Sequence, residues 1–303
     1  MIFGVIGGGF YMLDYSLIPE NRGKNEKESW NYINNTYPFI TSWLDSLDVH
    51  HALRDTFIVN EEGTRLHAYY AMAPKPTNRS AVIVHGYTDN AIRMMMIGYL
   101  YNYNLRYNIL LPDLQYSGRS GGNAILMGWK DRLDVMQWID IARSVFGGNT
   151  DSSRIVVHGI SMGGATTMCV SGEKLPPNVR CFVEDCGYTS VWDEFSMQLK
   201  EQFHLPNFPI LYIANYLCQL KYGWNFKEAS PLKAVSQCHL PMLFIHGSND
   251  TYVPTWMVYE LYKAKPGIKE LWITPGVEHA QSYKIFPKEY EKHVSIFVNK
   301  YIQ

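Results

Sequence analysis

Ile155-Val156-Val157-His158-Gly159-Ile160-Ser161-Met162-Gly163-Gly164-Ala165 is an apolar, β-branched run that halts at a glycine-flanked serine and continues into small residues. β-Branched residues favour a strand, and the small residues that follow let a helix lie close on a sheet. A chain that reverses from strand to helix this sharply has no room for a Cβ beside the turn, which explains Gly159 and Gly163. Ser161 is thereby pushed out of the end of the strand into a cleft. The stretch predicts a nucleophile elbow, with Ser161 as its nucleophile.

A serine hydroxyl hardly ionises near neutral pH. It needs an imidazole to take its proton and an acid to orient and stabilise that imidazole. Downstream, the strand pattern Pro241–His246 runs into Gly247-Ser248-Asn249-Asp250, and Lys269–Thr274 runs into the loop Pro275-Gly276-Val277-Glu278-His279. Asp250 and His279 each follow a strand's carboxyl end, in the order that elbow-type hydrolases use, and open α/β folds place their sites at that edge. The oxyanion formed by attack on a carbonyl needs two backbone N–H groups. Met162 supplies one, and Tyr87, after the strand Ala81–Val84 and His85-Gly86, the other, leaving the Tyr87 ring free to shape the pocket floor.

From about Thr56 to the C-terminus the sequence resembles the α/β-hydrolase superfamily, and within it bacterial serine hydrolases of esterase-like, lysophospholipase-like and prolyl-oligopeptidase-related kinds. The resemblance rests on His85-Gly86-Tyr87-Thr88, Leu111-Pro112-Asp113-Leu114, His158-Gly159-Ile160-Ser161-Met162-Gly163-Gly164, His246-Gly247-Ser248-Asn249-Asp250 and Glu278-His279. It implies an α/β-hydrolase fold, a mostly parallel central sheet flanked by helices, with a helical cap insertion. One loop departs from the pattern. Where the superfamily often carries Asp-x-Arg-Gly-x-Gly, this chain has Asp113-Leu114-Gln115-Tyr116-Ser117-Gly118-Arg119-Ser120. That loop borders the expected site without performing chemistry, so the departure bears on substrate and leaves the triad untouched.

With 303 residues, 47% of them hydrophobic, the chain can bury a large core. A net charge of −1 gives no reason to expect nucleic acid as a partner. The five cysteines (Cys169, Cys181, Cys186, Cys218, Cys238) are odd in number and form no Cys-x-x-Cys pair, so buried free thiols are expected rather than disulfides or a zinc site. The expected chemistry calls for no cofactor and no metal.

Residues 1–50 are read as an N-terminal apolar segment and helical extension, and 51–303 as the catalytic domain with a cap insertion at about 190–235. Ile2–Leu13 is apolar but holds Gly4, Gly7, Gly8 and Gly9, lacks a basic leader and is shorter than the roughly 20 residues that span a bilayer. Two readings stay open: the tail of a longer anchor, giving membrane association through the N-terminus, or a short greasy segment packed on the domain. The location is accordingly cytoplasmic or membrane-tethered.

Apolar spacing from Lys27 to Leu47 predicts a helix that Pro38 interrupts. Thr56–Asn60 and Leu66–Met72 read as a hairpin turning at Glu61-Glu62-Gly63. From Ala81 on, strand and helix patterns alternate, with helices over Met94–Tyr103 and Trp129–Val145, which implies parallel strands joined by right-handed crossovers. The terminal helix is expected over Glu289–Tyr301. Between the strand Val179–Glu184 and the one beginning at Met242 lie many large apolar residues, among them Trp192, Phe195, Phe203, Phe208, Tyr212 and Trp224. A cap there would form the cap's own core and, with a minority of these residues, the pocket wall.

Asp185 also follows a strand and rivals Asp250 for the acid, though the order ahead of His279 favours Asp250. His85, His158 and His246 are expected to hydrogen-bond locally, His293 to sit on the terminal helix, and Glu278 to be solvated. Asp89, Arg93 and Arg119 are placed beside the cleft, as binders of a charged substrate group or as solvated surface charge. The expected activity is hydrolysis of a small-molecule carboxylic ester through an acyl-enzyme. A peptidase or amidase is the alternative within enzymes; the lack of an upstream propeller-length region to screen peptides favours the esterase. A binding protein with an inert site is the alternative outside them.

Overall fold

The computed structural model describes residues 2–147 and 152–302. Helices α1 (Ile2–Leu17), α2 (Glu26–Thr36) and α3 (Thr41–Val49) lead in, and a 3-10 turn at Pro38–Ile40 separates the last two. Pro38 has no N–H to continue α2, so the chain breaks there. The hairpin follows, with β1 (Leu53–Val59) antiparallel to β2 (Arg65–Ala71). The Asn60 side chain accepts from the Glu62 and Thr64 amides to hold the turn.

Alternation then begins with β3 (Arg79–Val84), α4 (Met95–Tyr99), β4 (Asn108–Pro112), α5 (Asp131–Gly147), β5 (Arg154–Ile160), α6 (Met162–Ser171) and β6 (Val179–Asp185). After α7 (Val191–Phe203), α8 (Ile210–Tyr222) and α9 (Pro231–Gln237), the chain returns to the sheet in β7 (Met242–Gly247), α10 (Trp256–Ala264) and β8 (Lys269–Thr274), and closes with α11 (Ser282–Ile285) and α12 (Pro287–Tyr301). The eight strands form one sheet in the order β1-β2-β4-β3-β5-β6-β7-β8. β2 meets β4 antiparallel, and every pair from β4 to β8 is parallel.

β3, β4 and β7 are buried at nearly every position because helices cover both faces, so they read as continuous apolar runs. One core, with Val82, Val157, Phe182 and Phe244, lies on the face covered by α5, α6 and α10. The other, with Ile83, Val156, Val183 and Ile245, faces α4 and α12 and is sealed by Tyr290 and Phe297.

Two helices differ from the sequence reading. The helix expected over Met94–Tyr103 is a 3-10 turn (Ile92–Met94), then α4, then a π turn (Leu100–Asn104). Asn102 donates to the Met72 and Tyr107 carbonyls and accepts from the Trp43 indole, bonds that pull the backbone out of α register. The helix expected from Trp129 begins at Asp131, whose carboxyl oxygen accepts from the Gly128 amide and fixes the entry turn.

α7 and α8 stand over the carboxyl ends of the central strands, while α9 lies on α6, where a Cβ on Gly172 would meet Ala234 Cα at 2.9 Å. From Gly8 onward α1 packs along α8. A Cβ on Gly9 would come within 2.4 Å of Ile213 Cγ2, so Gly9 is what lets the two helices touch. Asp14 pairs with Lys221, and Leu13 and Leu17 are fully buried. Among the described residues no helix is long and apolar enough to cross a membrane.

A Cβ on Gly163 would lie 2.1 Å from the Val84 carbonyl oxygen, a backbone atom that cannot step aside. Gly163→Ala is therefore expected to cost about 3 kcal/mol or more, read in thermal unfolding as a midpoint lower by roughly 6–12 °C. An unchanged midpoint would show that the β5–α6 turn relaxes freely.

Candidate active site

Ser161 joins β5 to α6 with φ 57° and ψ −122°, a region that non-glycine residues seldom occupy. The conformation is held from both sides. The Ser161 amide donates to the Asp185 carbonyl at 2.8 Å, and its carbonyl accepts from the Ala165 amide at 2.9 Å. A Cβ on Gly159 would overlap the Gly163 carbonyl at 2.0 Å, so the entering strand and the departing helix touch backbone to backbone.

Ser161 Oγ lies 2.8 Å from His279 Nε2, and His279 Nδ1 lies 2.7 Å from Asp250 Oδ2. With Asp250 ionised, Nδ1 carries the proton and donates to it, which leaves Nε2 free to accept from the Ser161 hydroxyl. The second Asp250 oxygen accepts from the Tyr252 and Val253 amides at 3.0 and 2.9 Å. Burial alone would raise the Asp250 carboxyl, but the hydrogen bonds from His246 and His279 outweigh it and hold the group below the usual carboxylate range. His246 Nε2–H donates to the Val253 carbonyl at 2.8 Å and also lies 3.3 Å from Asp250, so this histidine braces the acid.

Gly86 approaches Ser161 closely, since a Cβ there would sit 3.4 Å from the serine Cβ. The Tyr87 and Met162 amides border this gap, and among the described residues no internal oxygen accepts from either. The Tyr87 ring lines the cavity, but it is not free: its hydroxyl donates to the Ser16 carbonyl of α1 at 2.9 Å. The rival acid Asp185 is buried between β6 and α12 with its carboxyl pushed up to about 6 by burial, and His279 Nδ1 faces Asp250 instead.

The other singled-out residues fall away from the serine. Leu114 N–H donates to His85 Nε2, so His85 Nδ1–H donates to the Gly86 carbonyl, which shapes the loop. His158 lies between the Tyr101 and Tyr290 hydroxyls, and His293 stacks on Trp272. Glu278 is exposed. Asp89, Arg93 and Arg119 do not line the cavity. Arg93 pairs with Glu28 and Asp89, and Arg119 with Asp55 and Glu26. In the departing loop, Gln115 donates to Asp134 at 2.7 Å and Arg22 stacks on Tyr116, so both replacements serve packing away from the cavity. All five cysteines are buried free thiols. Among the described residues, one His/Cys/Asp/Glu group has its ligand atoms within 4.8 Å: Cys186, Asp250 and His279. Two of these already bond each other, and burial holds the Cys186 thiol far up, so the set does not suit a metal ion.

A cavity of about 540 Å³ opens above Ser161 between the cap and α1. Its walls are mostly apolar, with Leu211, Phe195 and Phe226 from the cap and Met12 and Ile18 from the N-terminal segment. Nothing in the composition of residues 2–17 marked α1 as a wall of the cavity. The sequence also concealed Glu194, which reads as an ordinary acidic residue in the first turn of a helix but is 3% exposed in the cavity wall. Burial pushes its carboxyl up to about 8, helped by nearby Asp250, although Gln198 donates to one oxygen.

The fold and this serine–histidine pairing define the chain as a serine hydrolase of the α/β-hydrolase superfamily. The sequence pattern of the prolyl oligopeptidase family matches residues 124–303, and the chain belongs to that family. It is 29% identical over 230 residues to the uncharacterized protein YqkD of Bacillus subtilis, covering 76% of this chain and 74% of that one. The Pyrococcus furiosus esterase Pf2001 superposes with a TM-score of 0.65 at 21% identity, over 83% of this chain and 93% of that one. The Pyrococcus horikoshii acylaminoacyl peptidase does so at 0.55 and 16%, over 82% of this chain and 41% of that one. At these identities the two structural likenesses speak for the fold.

Asp131, Asp185 and Glu194 all keep their protons in the folded chain up to about pH 6–8, well above the values of free carboxyls. Between pH 4 and 8 these three groups bind fewer protons in the unfolded chain, so their contribution to stability falls as pH rises through that window, opposed below about pH 6.5 by His158, which burial lowers to about 3. Thermal midpoints are expected to drop from pH 5 to pH 8, and Glu194→Gln to flatten part of the drop. Midpoints that climb over the same window would contradict the assignment.

Proposed function

We propose that this chain hydrolyses carboxylic esters of small molecules through an acyl-enzyme on Ser161. The observation that carries the reading is the unbroken hydrogen-bond relay from Ser161 Oγ through His279 to Asp250 at the base of an apolar cavity. His279 Nε2 takes the hydroxyl proton as Oγ bonds to the substrate carbonyl carbon. The Tyr87 and Met162 amides hold the resulting oxyanion. On collapse the C–O bond to the leaving group breaks, the alcohol departs with the proton from His279, and a water deprotonated by His279 then cleaves the acyl-enzyme. Asp250 keeps the imidazole in the required tautomer and stabilises its charged form.

The family includes peptidases, so amides are the second reading, and the cavity wall weighs against it. Extended peptides are held through their backbone amides, whereas most of this lining is apolar. Of the two readings of the N-terminal segment, packing on the domain agrees with the seating of α1 on α8.

Ser161→Ala is expected to abolish labelling by a fluorophosphonate probe and to lower p-nitrophenyl ester turnover by at least about a thousandfold. Labelling that survives would reject Ser161 as nucleophile. With the wild-type protein, p-nitrophenyl esters should exceed aminoacyl-nitroanilides in kcat/KM, and the reverse order would favour the peptidase reading.

A further inference from the structure

Glu194 is a buried acid without a counter-charge. Its Oε1 accepts from Gln198 Nε2 at 3.0 Å, while Oε2 has no hydrogen-bond partner. Gln198 belongs to a polar line along α7: Tyr15 donates to Gln202, Gln202 to Gln198, and Gln198 to Glu194. Gln198 also donates to the Tyr252 carbonyl, which ties the acid to the loop that carries Asp250. The groups around the Glu194 carboxyl are thus Gln198 on its own helix, Asp250 and Tyr252 on the acid loop, and Tyr188 after β6, with Tyr15 of α1 linked to it only through Gln202 and Gln198.

Among the described residues no lysine or arginine lines the cavity, and its charged residues are Glu194 in the wall and Glu20 at the exposed mouth. Its other polar lining residues are four tyrosines, two serines and two glutamines, with the Tyr252 ring 5.0 Å from His279. Carboxyls without cations, set among aromatic rings, repel anions and attract organic cations: the rings through their π faces, the acid through its charge. A buried carboxylate without a counter-charge is costly, so Glu194 keeps its proton.

We propose that Glu194 is the specificity-determining residue of this cavity and that it receives an ammonium group carried by the substrate, so the preferred esters are those of amino alcohols or other amine-bearing molecules. On binding, the Glu194 proton leaves to solvent and the ligand's nitrogen supplies the positive charge. The proposal rests on the ester-hydrolase reading for its substrate and on the carboxyl alone for its cation.

The test compares butyrylcholine with its uncharged isostere 3,3-dimethylbutyl butyrate, in the wild-type protein and in Glu194→Gln, which keeps the shape of the side chain. The kcat/KM ratio of cationic to neutral ester is expected to be at least about tenfold in the wild type, to rise from pH 6 to pH 9 as Glu194 ionises, and to fall toward one in Glu194→Gln. The acyl-transfer steps are common to both esters, so their own pH dependence cancels from the ratio. A wild-type ratio near one, a ratio independent of pH, or a high ratio that persists in Glu194→Gln overturns the proposal. Should Glu194→Gln fail to fold, the wild-type ratio and its pH dependence decide alone. Should neither ester be cleaved, the hydrolase reading fails separately, and choline binding by calorimetry decides: binding to the wild type that strengthens with pH supports the cation site, and no binding rejects it.

Discussion

The contact on which this site depends is a backbone crowding, not a side-chain bond. The Val84 carbonyl, the Gly163 Cα and the Gly159–Gly163 contact fill the same small volume at the top of the sheet. Only with hydrogens at 159 and 163 can α6 begin directly on β5 while β3 runs alongside. That closeness turns Ser161 out at positive φ, sets the first amide of α6 beside it, and brings Gly86 within van der Waals reach. The strain at Ser161 is sustained because the Asp185 carbonyl and the Ala165 amide bond its backbone at either side.

Hydrogen bonding divides the acids around this turn into two kinds. Asp250 is buried yet stays ionised, because two backbone amides and two imidazoles converge on it. Glu194, a short way across the cavity, has one amide donor and no positive neighbour, so burial prevails and its proton stays. The same side-chain chemistry thus yields a fixed charge behind His279 and a neutral group in the wall, and the difference lies in the number of donors each environment supplies.

Much of this was legible in the sequence because it is local. The elbow follows from β-branched residues meeting glycines around Ser161. Asp250 and His279 follow from apolar runs that end in polar loops, and parallel strands carry such ends to one edge. The π turn at Leu100–Asn104 was not legible, because it is imposed by bonds from Asn102 to residues on other elements. Glu194 was hidden for a related reason. Its place in the first turn of α7 satisfies every rule for a solvated helix-start acid, and only the docking of α7 over the sheet buries it. The role of α1 was obscured by its composition, since a glycine-rich apolar stretch suits a membrane as readily as it suits the surface of α8.

The bond from the Tyr87 hydroxyl to the Ser16 carbonyl joins two parts that the chain keeps far apart: the loop beneath the serine and the helix that roofs the cavity. The hydroxyl donates across that gap, so the roof is fastened to the floor at the residue whose main chain sits beside Ser161, and the seating of the first helix and the shape of that loop are built from one contact.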